Sequence, residues 1–485
     1  MINIQFKKLV KIIIFKILKL DPNIVKRIIT LGIPVIIGML TQSAINAIDL
    51  LMVGRLPANE AVLGSAAIFT SIILLWLFGG FLSAISVGTQ AITARRFSEG
   101  NLKKAGQVLL NSITISIISS IILTLIAVYS LKWLIIIITP SKILQQIAYE
   151  YTTIRFFGLA TMAIMASYKS FYDALGRVKI HMTVALLMNI INIILNYFLI
   201  FGFSIQDYIF QPLGVYGAAW GSVISSYIGV IIIFFWSLRK QDQKRYKAYS
   251  IKNLSIKVSL SISKLSLWSG IATMTLMAGI GLFNYIVGII DQTNNSGNIN
   301  ASATSIILHI MMLIFMGSFA FGTATATLVA QSIGKKQYKL AKQYCWHSVI
   351  LAIYAMSILA IISLIFPKKI ISFFLPTEID NNGLKEATIT IALKSFKLVC
   401  MFLAPVAAAG LVLIQALYGA GKTRYIMILE FILHFFFFVP LTYFFSIYLK
   451  LNLLGCWIAA IAYAFALFIC TAYKFSKGDW QKTII

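Results

Sequence analysis

Few residues in this chain could do chemistry, and the first of them stands where it is least expected. Asp49 lies in SAINAIDLLMVGR (43–55), inside an apolar run that begins near Ile28. A carboxylate at the centre of a membrane helix costs about 2.5–3.5 kcal/mol on insertion scales, so one that is retained points to ion or substrate handling. Candidate partners occur in MNIINIILNYFLIFG (188–202), where Asn189, Asn192 and Asn196 are spaced i, i+3 and i+7. That spacing puts all three amides on one helix face. Ser222, in GVYGAAWGSVISS (214–226), could add a hydroxyl. Together these groups offer carbonyl oxygens and amide donors to a sodium ion, a protonated acid or a water, and a hard cation takes oxygen ligands of this kind. Only in the sodium case would Asp49, Asn192 and Asn196 be metal ligands. The alternative is that the amides join helices through hydrogen bonds worth about 0.6 kcal/mol each.

A second titratable pair is Glu430 and His434 in MILEFILHFFFF (427–438). At i, i+4 the two can share a proton or a hydrogen bond, and histidine titrates near physiological pH. The pair is either an auxiliary proton relay or a structural hydrogen bond. His309 and His347 stand alone and are expected to be satisfied within their helices. Lys169 and Asp173 are explained by snorkelling or mutual pairing. The four cysteines, Cys345, Cys400, Cys456 and Cys470, form no CxxC or Cys/His spacing, so neither a disulfide framework nor a zinc site is expected. No GxSxG, HExxH or DxD pattern occurs, which speaks against an enzyme.

These residues need elements to hold them, and the composition says which. Hydrophobic residues make up 60 % of the 485 and charged residues 11 %, against about 25 % charged in soluble domains. The mean hydropathy is +0.90. Such a chain belongs in lipid, where stretches of about 20 apolar residues mark spanning helices. Twelve such spans are expected, at 29–52, 62–93, 106–138, 147–174, 182–202, 215–238, 264–290, 300–332, 343–366, 387–418, 425–447 and 453–473. The class is therefore an all-α polytopic membrane protein.

The formal charge of +27 resolves once the 41 Lys and Arg are sorted by loop. With alternating loops and a cytoplasmic N-terminus, the inside segments hold 7 before span 1, 4 in RRFSEGNLKK, 2 in GRVK, 8 from Arg239 to Lys264, 4 from Lys335 to Lys342, 2 in GKTR and 3 at the C-terminus. Only 7 fall outside, and Arg155, Lys169, Lys394 and Lys397 lie within spans. This positive-inside bias puts both termini in the cytoplasm, in an integral plasma (inner) membrane protein. The charge thus serves topology and contact with anionic lipid, and nucleic-acid binding is not expected. The N-terminal MINIQFKKLVKIIIFKILKLDP has Phe6, Leu9, Val10, Ile13 and Ile17 on one face and lysines on the other, as an interfacial helix would.

The chain also repeats. Residues 86–105, SVGTQAITARRFSEGNLKKA, align without gaps on 322–341, GTATATLVAQSIGKKQYKLA, and ALGRVK (174–179) echoes GAGKTR (419–424). Six spans plus six is the simplest organisation: an amphipathic segment at 1–28, a first lobe at 29–238, a basic linker at 239–263, a second lobe at 264–474 and a tail at 475–485. Since six is even, the lobes would be related by a pseudo-two-fold axis along the membrane normal, with the cavity between them. Small-residue helices also resemble one another by composition, so chance similarity stays open as an explanation.

Pro34, Gln42 and IDLLMVG in span 1, GTQAITARRFSEGNLKKA after span 2, LGRVK after span 4, INIILNYFLIFG in span 5 and GVYGAAWGSVIS in span 6 carry a resemblance over nearly the whole chain. The sequence resembles the multidrug and toxic compound extrusion (MATE) family. The resemblance implies two six-helix lobes around a central cavity and export of organic, often cationic, compounds driven by protons or sodium. It transfers the family's span 1 carboxylate to Asp49, its two polar positions in span 5 to Asn192 and Asn196, and its hydroxyl in span 6 to Ser222. Some members also carry acids in spans 7 and 10. Here span 7 has none before Asp291, and span 10 has Lys394 and Lys397 instead, so coupling centred on the second lobe is not expected.

The expected function is secondary active antiport of small organic compounds by alternating access, with a proton or sodium as coupling ion and no other cofactor. The partners expected are substrate and membrane lipid, and the chain is expected to act as a monomer. A lipid-linked oligosaccharide flippase of the same superfamily is the alternative. Flippases commonly show about fourteen spans and cationic cavities, and Arg155 is the one mid-span arginine available. An aromatic and Met-rich cavity would suit organic cations, and 34 Phe, 21 Tyr and 15 Met supply one without singling out any residue.

Overall fold

The computed structural model describes residues 20–139, 142–205, 208–294, 299–374 and 382–483. Most of the expected amphipathic segment, residues 1–19, lies outside them. The described residues form twelve helical rods, numbered here as spans. They are span 1 (Pro22–Val53), span 2 (Ala58–Ser83 continued by Ile85–Ser98), span 3 (Leu102–Ile138), span 4 (Lys142–Phe156 and Leu159–Ala174), span 5 (Lys179–Phe201) and span 6 (Val215–Ser237). Span 7 (Ile256–Thr293), span 8 (Ile299–Gly334), span 9 (Tyr338–Ile365), span 10 (Asn382–Gly419), span 11 (Thr423–Tyr448) and span 12 (Asn452–Lys477) follow. A small antiparallel hairpin, Phe203–Ile205 with Tyr208–Phe210, is the one sheet among the described residues.

Most helices overrun their apolar stretches by a few residues. Hydrophobicity stops near the edge of the hydrocarbon layer, whereas the backbone hydrogen-bond ladder continues into the polar interface, as at Ile256, which opens span 7 within the expected linker. Eleven rods contain an uninterrupted stretch long and apolar enough to cross a bilayer. Span 4 is the exception because it breaks at Phe157 and Gly158. There the amides of both residues turn back onto Ile154 and Arg155, and the carbonyl freed at Phe157 accepts the Tyr227 hydroxyl of span 6 at 2.9 Å. Irregular backbone survives at membrane depth only when its polar groups are satisfied in this way.

Spans 10 and 11 bend without breaking. A π-helical turn, Val399–Leu403, precedes Pro405, and another, Leu433–Phe438, precedes Pro440. A proline ring clashes with the carbonyl four residues earlier, and the wider turn makes room for it.

By proximity the chain divides into two compact units. One holds Pro34–Met277 with Thr423–Ile428. Its interior is apolar side chains from spans 2, 3 and 4, among them Leu74, Leu131, Phe156 and Leu159, with a second cluster of Val53, Ile68, Tyr151, Ile200 and Ala218. The linker packs on this unit. Asn111 of span 3 donates to the Asn253 carbonyl and accepts from Ser255 N and Ser259 Oγ, each at 2.9 Å. Arg177 pairs with Asp242 at 2.5 Å. The other unit holds Ala278–Lys422 and Leu429–Ile484, with the beginning of span 1. In it Phe283 stacks on Phe438 at 5.6 Å and meets Trp457 edge-on.

The internal echo is visible in the backbone. At the end of span 2, Gly100 has φ +82° and Asn101 N bonds the Arg96 carbonyl; at the end of span 8, Lys336 has φ +60° and Gln337 N bonds the Ser332 carbonyl. Both are left-handed helix caps closed by a six-residue bond, at aligned positions. The second echo behaves alike: Gly176 and Gly421 have φ +75° and +82°, with Arg177 N on Tyr172 O and Lys422 N on Leu417 O. Spans 5 and 6 cross at a glycine, since a Cβ on Gly217 would lie 2.5 Å from the Leu199 carbonyl group, and spans 11 and 12 cross likewise at Gly455, 2.6 Å from Phe445. Such a crossing brings two backbones together.

Candidate functional site

Asp49 sits in the last turn of span 1, and its side chain points inward with 1 % of its surface exposed. Two oxygens receive three donors from three other spans. Asn196 Nδ2 of span 5 donates to Oδ1 at 2.5 Å, Ser222 Oγ of span 6 donates to Oδ2 at 2.7 Å, and Arg155 Nη1 of span 4 lies 3.4 Å from Oδ2. Asn192 closes the ring. Its Nδ2 donates to Ser222 Oγ at 3.3 Å, and its Oδ1 accepts from Asn196 at 3.4 Å. Asn192 and Asn196 are fully buried and Ser222 nearly so.

The placement follows from local sequence. The i, i+4 step carries Asn192 and Asn196 on one face of span 5, and the GAAWGS run of span 6 has small residues where the two helices meet. A Cβ on Gly221 would lie 2.0 Å from Asn196 Oδ1, so only glycine leaves room for that amide. Asn196 Oδ1 is buried without a hydrogen-bond partner. A buried carbonyl oxygen left unsatisfied costs about 1–3 kcal/mol; the amide nitrogen faces the carboxylate here, and rotation of the amide would present this oxygen to a bound cation instead. The donor set, a carboxylate, two amide carbonyls and a hydroxyl, is all oxygen and fits a proton or a hard monovalent cation.

Asn189 is placed differently. Its Nδ2 donates to the Thr41 carbonyl at 2.7 Å, which ties span 5 to span 1 and keeps this amide away from the carboxylate. Arg155 joins the site although the sequence offered it only as the one mid-span arginine that a flippase cavity could use. A signal existed: the alternating topology puts Asp49 and Arg155 toward the outer ends of their spans, and a charge at membrane depth needs a counter-charge.

The second pair is built in the other unit. His434 Nδ1 lies 2.9 Å from the Glu430 carbonyl and 3.1 Å from Oε2, so this nitrogen carries the hydrogen. Tyr463 of span 12 donates to the same Oε2 at 2.8 Å and packs its ring 4.6 Å from the imidazole. The π turn swings His434 toward Gly279, where a Cβ would lie 2.2 Å from Cδ2. His309 bonds the Ser305 carbonyl, and His347 donates to the Gln343 carbonyl while its Nε2 accepts the Asp21 amide. Lys169 and Asp173 pair at 2.9 Å. Among the described residues no group of three or more His, Cys, Asp or Glu is arranged to hold a metal.

Comparison with known proteins agrees with this architecture. The family model described as MatE matches residues 34–198 and 267–444. The chain is 24 % identical over 474 residues to the probable multidrug resistance protein YoeA of Bacillus subtilis, covering 96 % of each chain. It is 26 % identical over 473 residues to the probable multidrug resistance protein NorM of Thermotoga maritima, covering 96 % of this chain and 95 % of that one. Among solved structures, one described as the outward-facing conformation of a multidrug resistance MATE family transporter superposes with a TM-score of 0.82 at 19 % identity, over 95 % of this chain and 97 % of that one. A MOP superfamily transporter from Pyrococcus furiosus, whose binding pocket is described as having reverse polarity, superposes with a TM-score of 0.83 at 18 % identity, over 94 % and 97 % of the two chains. With twelve rods of this fold and a family match over most of its length, the chain belongs to the MatE family, the multidrug and toxic compound extrusion transporters.

Proposed function

We propose that this protein is a secondary active exporter of small organic, cationic compounds, and that export is driven by exchange for protons or sodium at Asp49. The observation that carries the reading is the buried Asp49 carboxylate held by Asn196, Ser222 and Arg155 from three separate spans. In this arrangement every neighbour donates, as around an ionised carboxylate. Uptake of a proton or sodium reverses the requirement, because the site then needs acceptors, and Asn196 Oδ1 and the Ser222 lone pairs are the oxygens at hand. The same side chains therefore favour different geometries with and without the cation. A ligand shifts a conformational equilibrium only through such differential affinity. Cation occupancy at Asp49 thus biases alternating access, with substrate moved unchanged and no chemical step on it.

The positive-inside bias supports a plasma-membrane location with both termini cytoplasmic. Relatives named as multidrug resistance proteins support organic substrates. The flippase alternative would need free cationic groups for a pyrophosphate, and Arg155 is engaged with Asp49.

The test is export from proteoliposomes under imposed pH or sodium gradients, comparing the native chain with Asp49→Asn. Gradient-driven export should be lost in the variant. Export at the native rate would overturn the assignment of Asp49.

A further inference from the structure

We infer that Arg155 is a tethered competitor of the coupling cation: its guanidinium occupies the Asp49 carboxylate when no cation is bound, and cation uptake displaces it. The inference rests on the reading of Asp49 as the coupling site and adds the residue that sets how tightly that site holds its ion.

Three features of the contact favour a replaceable partner. First, it is a single contact of 3.4 Å on Oδ2, the oxygen that also accepts Ser222 at 2.7 Å. A committed guanidinium–carboxylate pair is usually bidentate at about 2.7–2.9 Å. Second, the Arg155 side chain keeps 16 % of its surface exposed while Asp49 has 1 %, so the arginine has somewhere to go and the aspartate does not. Third, Arg155 is the next-to-last residue of Lys142–Phe156, beside the break at Phe157 and Gly158, where the backbone has already left helical geometry.

The charges explain why a partner is needed. Asp49 ends span 1, where the helix dipole opposes a negative charge, and Arg155 ends its helix, where the dipole favours a positive one. Among the described residues Arg155 is the one basic group in an ion pair with Asp49. Tyr151, one turn before Arg155 and fully buried, is the other titratable group facing the pair. Spans 5 and 6 present only the Asn192 and Asn196 amides and the Ser222 hydroxyl.

The pair is neutral without a bound ion. One proton or sodium makes it +1, so the incoming cation and the guanidinium repel each other and compete for the same oxygen. Arg155 weakens cation binding and so permits release. Its displacement moves the end of the first half of span 4, which makes occupancy at span 1 felt on a second element.

The experiment measures export in proteoliposomes for the native chain, Arg155→Gln and Arg155→Lys, in a sodium-free pH series and in a sodium series at fixed pH. An opposite charge at this range shifts a carboxylate's cation affinity by about tenfold or more. Arg155→Gln should therefore lower the half-maximal cation concentration about tenfold in the arm that drives export, while Arg155→Lys stays near the native midpoint. Infrared carboxyl bands of the purified protein, referenced to Asp49→Asn, and sodium binding report the same midpoints if Arg155→Gln folds but does not transport. An unchanged midpoint in Arg155→Gln by these measures overturns the inference. Native export by Asp49→Asn would instead sink the underlying reading, so the two failures are distinguishable.

Discussion

Gly221 of span 6 and Asn196 of span 5 are in such close contact that a single methyl group on the glycine would lie 2.0 Å from the Asn196 amide oxygen. Asn196 in turn holds Asp49 Oδ1 at 2.5 Å, so the glycine seats the carboxylate at second hand. Gly221→Ala should displace the amide and cost about 1–3 kcal/mol by overpacking. The expected result is a folded protein of lowered melting temperature in detergent and strongly reduced gradient-driven export. Native export at native stability would show that the amide does not need its present position.

Lys336 holds a backbone conformation that its aligned counterpart Gly100 adopts freely. A non-glycine residue in the left-handed region costs about 1–2 kcal/mol. Lys336→Gly should therefore stabilise the protein by about 1 kcal/mol, and Gly100→Ala should destabilise it by a similar amount, because nothing lies within 4 Å of a Cβ at Gly100 and only the backbone is strained. Chemical denaturation of the two variants in one detergent checks both signs.

Glu430, His434 and Tyr463 form a buried lock between spans 11 and 12. Tyr463→Phe removes one of two donors from the Glu430 Oε2 and should cost about 1–3 kcal/mol. Glu430→Gln keeps an acceptor oxygen and should cost less, with the pH profile of export unchanged. A shifted profile in Glu430→Gln would assign the pair to proton relay instead.

Asp479, beyond the end of span 12, is held below its ordinary value of 3.8 first by the Lys474 hydrogen bond at 2.7 Å, which outweighs its slight burial, and further by the charges of Lys474, Lys422 and Lys477. A depressed carboxylate contributes stability that is present above its unfolded value and disappears as pH falls through the folded one. The turn Asp479–Lys482 docks Trp480 against Phe475 at 4.9 Å, with the indole donating to the Phe475 carbonyl. Acidification below about pH 4 should loosen this docking, seen as a shift of the Trp480 signal in fluorotryptophan NMR. Asp479→Asn should abolish that pH dependence.

How much of this was written along the chain varies from residue to residue. Apolar length marked the twelve spans, because a helix satisfies its own backbone and needs no neighbour to be recognised. Helical period put Asn192 and Asn196 on one face, and the two segments that align in sequence end their helices in the same left-handed caps, at Gly100 and Lys336 and at Gly176 and Gly421. The choice of partners was not written there. Asn189 shares the face of its two neighbours yet bonds Thr41, Arg155 meets a carboxylate 106 residues away, and Tyr463 reaches Glu430 from another span. Hydropathy and period are local properties of one helix. Which helices touch, at what depth and in what rotation, is decided by side-chain packing between segments far apart in sequence, and at Gly217 and Gly221 a missing methyl group decides it.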